Sequence, residues 1–454
     1  MTSQFKKTVN ADNALAKNMA ADALAIAKRL GADESIIRIS SLEGLSISTR
    51  DGDVENIEFN KDRSMDITVY RGKRSGTAST SDFSAKAIED TIEAALAISK
   101  HTDADPCAGI LEAEYLSDSD YDFDTLHEIE QDADAAVGKA VGLEREFMQG
   151  SYDRIKKSDG ASLSSSLKSF TIASSNGFNR SFSYSSNGRS LSLLGQSDDK
   201  MQKGYGFTQN SNPELLYDNR RIIDEAVTKT LNKLDASQVK TGKYNVIFKG
   251  SAAISIWSAL SKAIRGSLIY RDSSFLCNAL DTKILPDFVS LRDEPFVKGE
   301  LSSCNYDGEG CRVQSSHIVK DGILNMYLLG SYSARKLNMK PNGHASGLFT
   351  LYADFDDKHI CTFDDMLKDV SEGIVIESLM GQGVNITNGD VSRGAGGYYF
   401  KDGRRVHAVE EITVAFNLKD LFKKIAMMSH DDIDERYSVK TGSILVPDVT
   451  ISGL

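Results

Sequence analysis

Between residues 12 and 31, in DNALAKNMAADALAIAKRLG, Ala and Leu recur at helical spacing. Asp12 or Asn13 can cap that helix and Gly31 stops it. The rhythm then changes. Across residues 35–82 the words ESIIRISS, LSISTR, ENIEFN and SMDITVYR alternate apolar and polar positions, the mark of half-buried strands. Asp51-Gly52 between two of them signals a tight hairpin. Residues 83–100 return to apolar positions at i, i+3, i+4 and i+7 and predict a second helix.

An acidic, turn-rich connection over 101–123 leads to a further expected helix over 124–148. Residues 157–208 are Ser-rich and alternate, which predicts strands with a turn at Asn187-Gly188. A helix is expected over 219–235, and the polar stretch SQVKTGKY after it places the main domain boundary near 236–243. Beyond it come a buried strand at Tyr244–Phe248, a helix over 251–265, and mostly strands and turns over 300–450. No period of 20–50 residues stands out, so a solenoid or propeller is not expected. The fold class is α+β. An N-terminal mixed domain with an antiparallel sheet spans 1–236, with substructure at about 1–100 and 124–236, and a β-rich C-terminal domain spans 243–454.

Composition narrows the functions. Over 454 residues, Lys+Arg 53 against Asp+Glu 65 gives a formal net charge of −12. That argues against nucleic acid as the main ligand, since phosphate binding needs a dense basic patch. The basic words Arg71-Gly72-Lys73-Arg74 and Arg404-Arg405 are short and read as solvated loops. No apolar run approaches the ~18–20 residues that span a bilayer, and the N-terminus lacks an apolar signal region. Cys107, Cys277, Cys304, Cys311 and Cys361 are scattered and odd in number, as expected of thiols in a reducing cytoplasm.

Three families of chemistry were tested against spacing. His127-Glu128 begins a zinc-peptidase HExxH word, but Gln131 and Asp132 stand where the second His is needed. The other histidines, His101, His317, His344, His359, His407 and His430, stand singly. SxxK words at Ser165–Lys168 and Ser197–Lys200, with KTG at Lys240–Gly242 and Lys440–Gly442, suggest serine acyl transfer. They lie in strand or loop sequence, however, and an SDN word is missing. No phosphate-cradling GxxxxGK[ST] word occurs, and no GxGxxG opens a helix.

Gly373–Lys424 stands apart: strand, Gly-rich turn, Asn-Gly turn, strand, turn, strand, helix. Gly381 and Gly383 permit backbone conformations closed to other residues. Gly394, Gly396 and Gly397 would let a second backbone approach closely. Arg393 and the pair Glu410-Glu411 add charge beside them. On physical grounds this is either a tight meander with salt-bridged turns or a binding surface.

The same stretch resembles the TldD/PmbA family, long called modulators of DNA gyrase and now regarded as subunits of a peptidase complex. GQGVN at 381–385, GDxSRGAxG at 389–397 and VEEITxAxNLKD at 409–420 carry the resemblance. DGILNMYLLGSYSARKLNM at 321–339, IYRDSSFL at 269–276 and RSGTASTSDFS at 74–84 extend it over nearly the whole chain. It is closest to the PmbA branch, also called TldE. The resemblance implies an α+β fold and a dimer. In the TldD/TldE pair, the TldD-type chain holds zinc through HExxxH and a Cys near its end. Here those positions fall close to Trp257, Ser258 and Lys262, and on Thr441. Asn342-Gly343-His344-Ala345 replaces the family's TGNA word, which singles out His344.

The resemblance therefore implies a cytoplasmic, TldE-like chain without its own metal site. Its partner would be a TldD-type catalytic subunit that carries zinc, with a homodimer as the state in isolation and unfolded peptides as substrates. Gly381, Gly383, Asn385, Arg393, Gly394, Glu410 and Glu411 are the expected interface or peptide-facing residues. Two alternatives stay open. One is an autonomous metallopeptidase built from His317, His344, His359 or His407 with nearby carboxylates. The other is a protein-binding regulator of the gyrase-modulator kind.

Overall fold

The computed structural model describes residues 4–197 and 200–454. Among these residues, four α-helices and six strands make up the first part. They are α1 (Gln4–Arg29), α2 (Ala85–Ser99), α3 (Ala133–Gln149) and α4 (Asn219–Leu231), with β1 (Glu34–Arg50), β2 (Asp53–Arg71), β3 (Arg74–Thr80), β4 (Ile155–Ser174), β5 (Asn179–Ser197) and β6 (Lys200–Asn210). The strands form one antiparallel sheet in the order β3-β2-β1-β4-β5-β6. The pairing of β1 with β4 fuses the two N-terminal stretches into a single sheet. The four alternating words of 35–82 form long strands rather than short ones, joined where Asp51 and Gly52 both take positive φ (54° and 81°).

The helices cover one sheet face. Ala20, Ala23 and Ala27 of α1 and Ile88, Ile92 and Ala95 of α2 pack on Ile37, Ile39, Ile67 and Val69. α3 packs on Leu45, Ile47 and Leu163. α4 is admitted close to β6 by Gly206, where a Cβ would sit 2.1 Å from the Ile222 carbonyl.

Two local expectations are corrected. Residues 124–132 are not helical; α3 starts after the Asp132 cap, which accepts from Asp134 and Ala135 N–H. Sheet serines take up the backbone of that segment instead: His127 N–H donates to Ser185 Oγ and Glu130 N–H to Ser165 Oγ. Asn187-Gly188 is not a turn but lies inside β5, and neither residue has positive φ. Asn187 is buried, accepting from Ser165 Oγ and donating to Ser211 O, so its amide serves the sheet. The chain reverses at Ser174–Phe178 instead, where Gly177 has φ 99°.

The second part begins with β7 (Gly242–Phe248), α5 (Ser251–Ala263), α6 (Gly266–Ile269), β8 (Val289–Glu294), β9 (Ser316–Lys320), β10 (Ile323–Leu324), α7 (Ser331–Lys336) and β11 (Thr350–Phe355). It continues with β12 (Ile360–Cys361), α8 (Phe363–Val370), β13 (Glu372–Met380), β14 (Asp390–Lys401), β15 (Arg404–Asn417), α9 (Leu418–Lys424), β16 (Met427–Ser429), β17 (Val439–Lys440) and β18 (Ile444–Ser452). One sheet runs β10-β9-β8-β11-β17, the other β12-β16-β18-β15-β14-β13-β7. β18 also pairs with β7, so β7, β13, β14, β15 and β18 close into a ring. The largest core cluster gathers one side of these strands, α5 and the smaller sheet; α8 covers Ile247, Val375 and Leu445. The architecture is α+β, as the pattern predicts.

Side chains bind the two parts together. Arg436 pairs with Glu225 of α4 at 2.9 Å, donates to Phe207 O and lies 4.0 Å over the Phe207 ring. Arg335 donates to Cys107 O and Gly109 O, and Tyr306 packs edge-on against Phe178 and Phe182. All five cysteines are free. Burial pushes the Cys304 thiol up to about 11 and that of Cys311 to about 12, away from thiolate reactivity. No helix among the described residues is long and apolar enough to cross a membrane.

Candidate functional site

α5 forms because Ala252, Ala253, Ile256, Trp257, Leu260 and Ala263 make one buried stripe, entered through Gly250 at φ 55°. Trp257 is 0% exposed, and its indole N–H donates to Thr441 Oγ1 at 3.0 Å. Thr441 in turn donates to Gly442 O. Gly442 is required where it stands, since a Cβ there would lie 1.8 Å from Ser429 O. The neighbouring turn is tied by Asp432, which accepts from Ser443 N–H (3.1 Å) and Ser443 Oγ (2.6 Å), while Ser429 Oγ donates to the same carboxylate. Two of the three ligand-equivalent positions, Trp257 and Thr441, thus meet across 184 residues of sequence. Ser258 and Lys262 lie on the solvent side of α5.

This set does not fit zinc. An indole, an ammonium and an aliphatic hydroxyl stand where the metal would take two imidazoles and a thiolate, and a second hydroxyl, on Ser258, stands where the carboxylate base would be. The indole fills the space between helix and strand. Among the described residues no group of three or more His, Cys, Asp or Glu is placed to hold a metal.

The scattered histidines have separate lives. His344 is buried with Nε2 3.0 Å from Asp293 Oδ2 and Nδ1 donating to Asn342 O. His359 stacks on Phe288 beside Asp356. His407 meets Ser237 Oγ and stacks on Tyr399, and His317 is exposed on β9. Among the described residues the serine words assemble no dyad either. Ser165 and Lys168 are three apart in β4 and therefore on opposite faces. Lys440 is buried against Glu300 and Glu435. Asp198 and Asp199, inside the second SxxK word, lie outside the described residues.

Five of the Gly-rich candidates gather at the β13–β14 connection. Gly381 turns the chain at φ 81°. Gly383 lies so close to β14 that a Cβ would stand 1.8 Å from Ser392 O. Asn385 closes the loop, its side chain accepting from Thr387 N–H and its backbone carbonyl from Gly389 N–H. Gly394 pairs with Met380, which is 48% exposed. The close backbone approach expected of Gly394, Gly396 and Gly397 occurs at Gly397 alone, where a Cβ would lie 1.8 Å from Val375 O.

Arg393 points to the same side of β14 as Val391 and Ala395. Its Nη2 donates to Leu379 O, its Nε is buried without a partner, and burial lowers its pKa. The salt-bridged reading of this turn is therefore corrected: Glu410 and Glu411 lie elsewhere, at a bulge of β15. Glu410 accepts from Gln202 of β6, and Glu411, at φ 54°, presents its carbonyl to Gln238. Both acids belong to the seam between the two parts.

The far face of the six-stranded sheet is the surface that motif reading missed. Opposite the helices, Ser162, Ser164, Ser166, Lys168 and Phe170 of β4 face Ser190, Gly188, Ser186, Tyr184 and Phe182 of β5. All are half-buried or exposed, and Lys168, 5.9 Å over Tyr184, is the one charge in this patch. The signal was present as period-two serine, but the helix side is Ser-rich as well. There Ser169 and Ser183 pair with each other, and Ser183 meets Asn13 of α1. Alternation alone could not say which serines stay wet.

Comparison with known proteins decides the family. Models of the PmbA/TldA metallopeptidase match in three pieces: domain 1 over residues 37–99, the central domain over 117–234 and the C-terminal domain over 241–453. The metalloprotease PmbA of Escherichia coli O157:H7 is 36% identical over 421 residues, covering 93% of this chain and 92% of that protein.

The chain belongs to the PmbA/TldD metallopeptidase family.

Its PmbA homologue from Haemophilus influenzae is 35% identical, with 95% of this chain and 94% of that protein covered. In fold it is similar to a proposed DNA-gyrase modulator from Bacteroides thetaiotaomicron (TM-score 0.89, 22% identity, 96% of this chain and 99% of that one). It is also similar to TldE from Thermococcus kodakarensis (TM-score 0.80, 16% identity, 96% and 100%).

Proposed function

We propose that this chain is the TldE-like, non-catalytic subunit of a zinc metallopeptidase complex that processes unfolded peptides, with catalysis residing in a TldD-type partner. The observation that carries this reading is the Trp257–Thr441 hydrogen bond. It fills, with groups that cannot ligate zinc, the two positions where the family resemblance puts a His and the Cys. The chain's own contribution would be a wall. The hydroxyl-lined, nearly uncharged face of β4 and β5, with Phe170, Phe182 and Tyr184 stacked along it, suits an extended backbone of varied sequence. Arg393, an inward cation with no acid paired to it among the described residues, would meet a carbonyl or carboxylate near the β13–β14 turn.

The test is elemental analysis of the chain purified alone, with hydrolysis of an unfolded peptide by this chain, by a TldD-type chain and by both together. Substoichiometric zinc and iron in this chain, with hydrolysis requiring the TldD-type chain, is the expected result. One equivalent of metal surviving mild chelation, with hydrolysis by this chain alone, would overturn it.

A further inference from the structure

A cavity of about 200 Å³ opens at the junction of α5 and α6. Sites for drug-sized ligands run to roughly 300–1,000 Å³, so this one suits a single small molecule. None of Trp257, Ser258, Lys262 and Thr441 lines it, which sets it apart from the zinc-equivalent positions.

Two opposite charges share the cavity, Arg265 and Glu309. Arg265 precedes α6, and its backbone is bridged to Leu328. Its guanidinium has no hydrogen bond, ion pair or ring contact among the described residues. The neighbouring cation is engaged locally: Arg271 Nε donates to the Tyr270 hydroxyl at 3.1 Å, and its guanidinium lies 5.3 Å from the centre of that ring. Glu309 sits on the tight turn between Tyr306 and Arg312, where Asp307 Oδ1 accepts from the N–H groups of Glu309 and Cys311. Glu309 Oε2 accepts from Ser331 N–H at 2.7 Å, and Oε1 has no partner among the described residues. Both charges line one cavity, yet they do not pair with each other.

Glycines keep the space beside each charge clear. A Cβ on Gly330 would come 3.2 Å from Glu309 Oε1, and one on Gly347, at φ 107°, would come 3.2 Å from Arg265 Nη2. The walls are fixed. Tyr270 and Tyr332 meet edge-on with ring centres 5.6 Å apart, and Tyr332 donates to Asp105. The ring nitrogens of His344 are engaged by Asn342 O and Asp293.

A guanidinium binds a carboxylate through two parallel N–H bonds, and a carboxylate oxygen accepts from an ammonium. Two unmatched opposite charges in so small a cavity, with tyrosine rings in its wall, complement a zwitterion that carries an apolar side chain. We infer that the cavity binds a free α-amino acid, with its carboxylate on Arg265 and its ammonium on Glu309 Oε1. Such a molecule is an end product of peptide hydrolysis, whereas either end of a longer peptide brings only one of the two charges. The inference is independent of the subunit reading, since binding is read on this chain alone.

Isothermal titration calorimetry of the purified chain with L-leucine tests it. One-site binding with Kd below about 1 mM is expected. Leucinamide lacks the carboxylate and N-acetyl-leucine lacks the ammonium, and each should bind at least about tenfold more weakly. Arg265→Gln and Glu309→Gln should weaken leucine by a similar factor. Arg265→Gln should leave leucinamide unaffected, and Glu309→Gln should leave N-acetyl-leucine unaffected. In Glu309→Gln the amide oxygen still accepts from Ser331 N–H, so thermal unfolding should match the wild type. No binding up to about 10 mM leucine would overturn the inference, as would leucine binding indifferent to either variant. So would leucinamide or N-acetyl-leucine binding as tightly as leucine, since the cavity would then read a peptide end.

Discussion

Two tertiary links each join residues far apart in the sequence, and they differ in kind. Trp257 meets Thr441 inside the second part of the molecule, neutral donor to neutral acceptor, with the indole 0% exposed. Arg436 meets Glu225 across the seam, cation to anion, with side chains 12% and 18% exposed. In the first, the hydrogen bond is a small share of what the contact contributes; most comes from the volume of the ring. In the second, volume matters little, and the contact depends on both groups staying charged while largely removed from water. A lock of the first kind fails by cavity formation. A lock of the second kind fails by titration or loss of a partner.

Removing the ring is the harshest way to separate them. Trp257→Ala is expected to lose about 3–5 kcal/mol, read by urea unfolding followed by circular dichroism, with no dependence on pH between 5 and 8. Next comes Arg436→Ala, which leaves Asp434 without its cation and Glu225 with Lys229 alone. About 3 kcal/mol is expected, together with faster proteolysis in the 236–243 connection while the second part keeps its core.

pH sharpens the contrast. Burial pushes the Glu225 carboxyl up, but hydrogen bonds from Arg436 and Lys229 prevail and hold it at about 2, below the ordinary 4.5. Its contribution is therefore complete above about pH 4.5 and is lost as pH falls toward 2, a drop of about 2 kcal/mol. Unfolding curves of wild type and Glu225→Gln should converge over that window. The smallest effect is Thr441→Val, which leaves the indole N–H unpaired at a cost of about 1–2 kcal/mol. Since Trp257 is the sole tryptophan, its emission reports that change directly.

Sequence pattern reached the elements whose signals are local. Asp51-Gly52, the helix of 83–100 and the strands of 373–417 follow from residues within a few positions of each other. It failed where a side chain chose a distant partner. Asn187 looks like a turn residue until Ser165 and Ser211 claim its amide. Residues 124–132 look helical until Ser165 and Ser185 capture their backbone. Arg393 and the Glu410-Glu411 pair are near in sequence and lie in adjacent strands, yet a bulge sends the acids to the seam. At the candidate site, the chemistry of Trp257 and Thr441 was legible, but their contact was not, because no local rule links residues 184 apart.

The ring of strands carries a consequence for how the chain is made. β7 opens the second part and β18 ends it, and they lie side by side, Val446 opposite Val246 and Ile451 opposite Gly242; Thr241 N–H reaches Leu454 O. During synthesis the six-stranded sheet has all its strands once residue 210 has left the ribosome. The second part has no such early option. β7 must wait, with one flank bare, until the last strand emerges some 200 residues later, a delay of about 10–40 s at ordinary elongation rates. Between those two points a ribosome-bound nascent chain holds a sheet with all its strands and a ring that lacks its closing strand. The stretch at risk in that interval is Val246-Ile247-Phe248, three consecutive side chains that are wholly enclosed only after the final turn of the ring has closed.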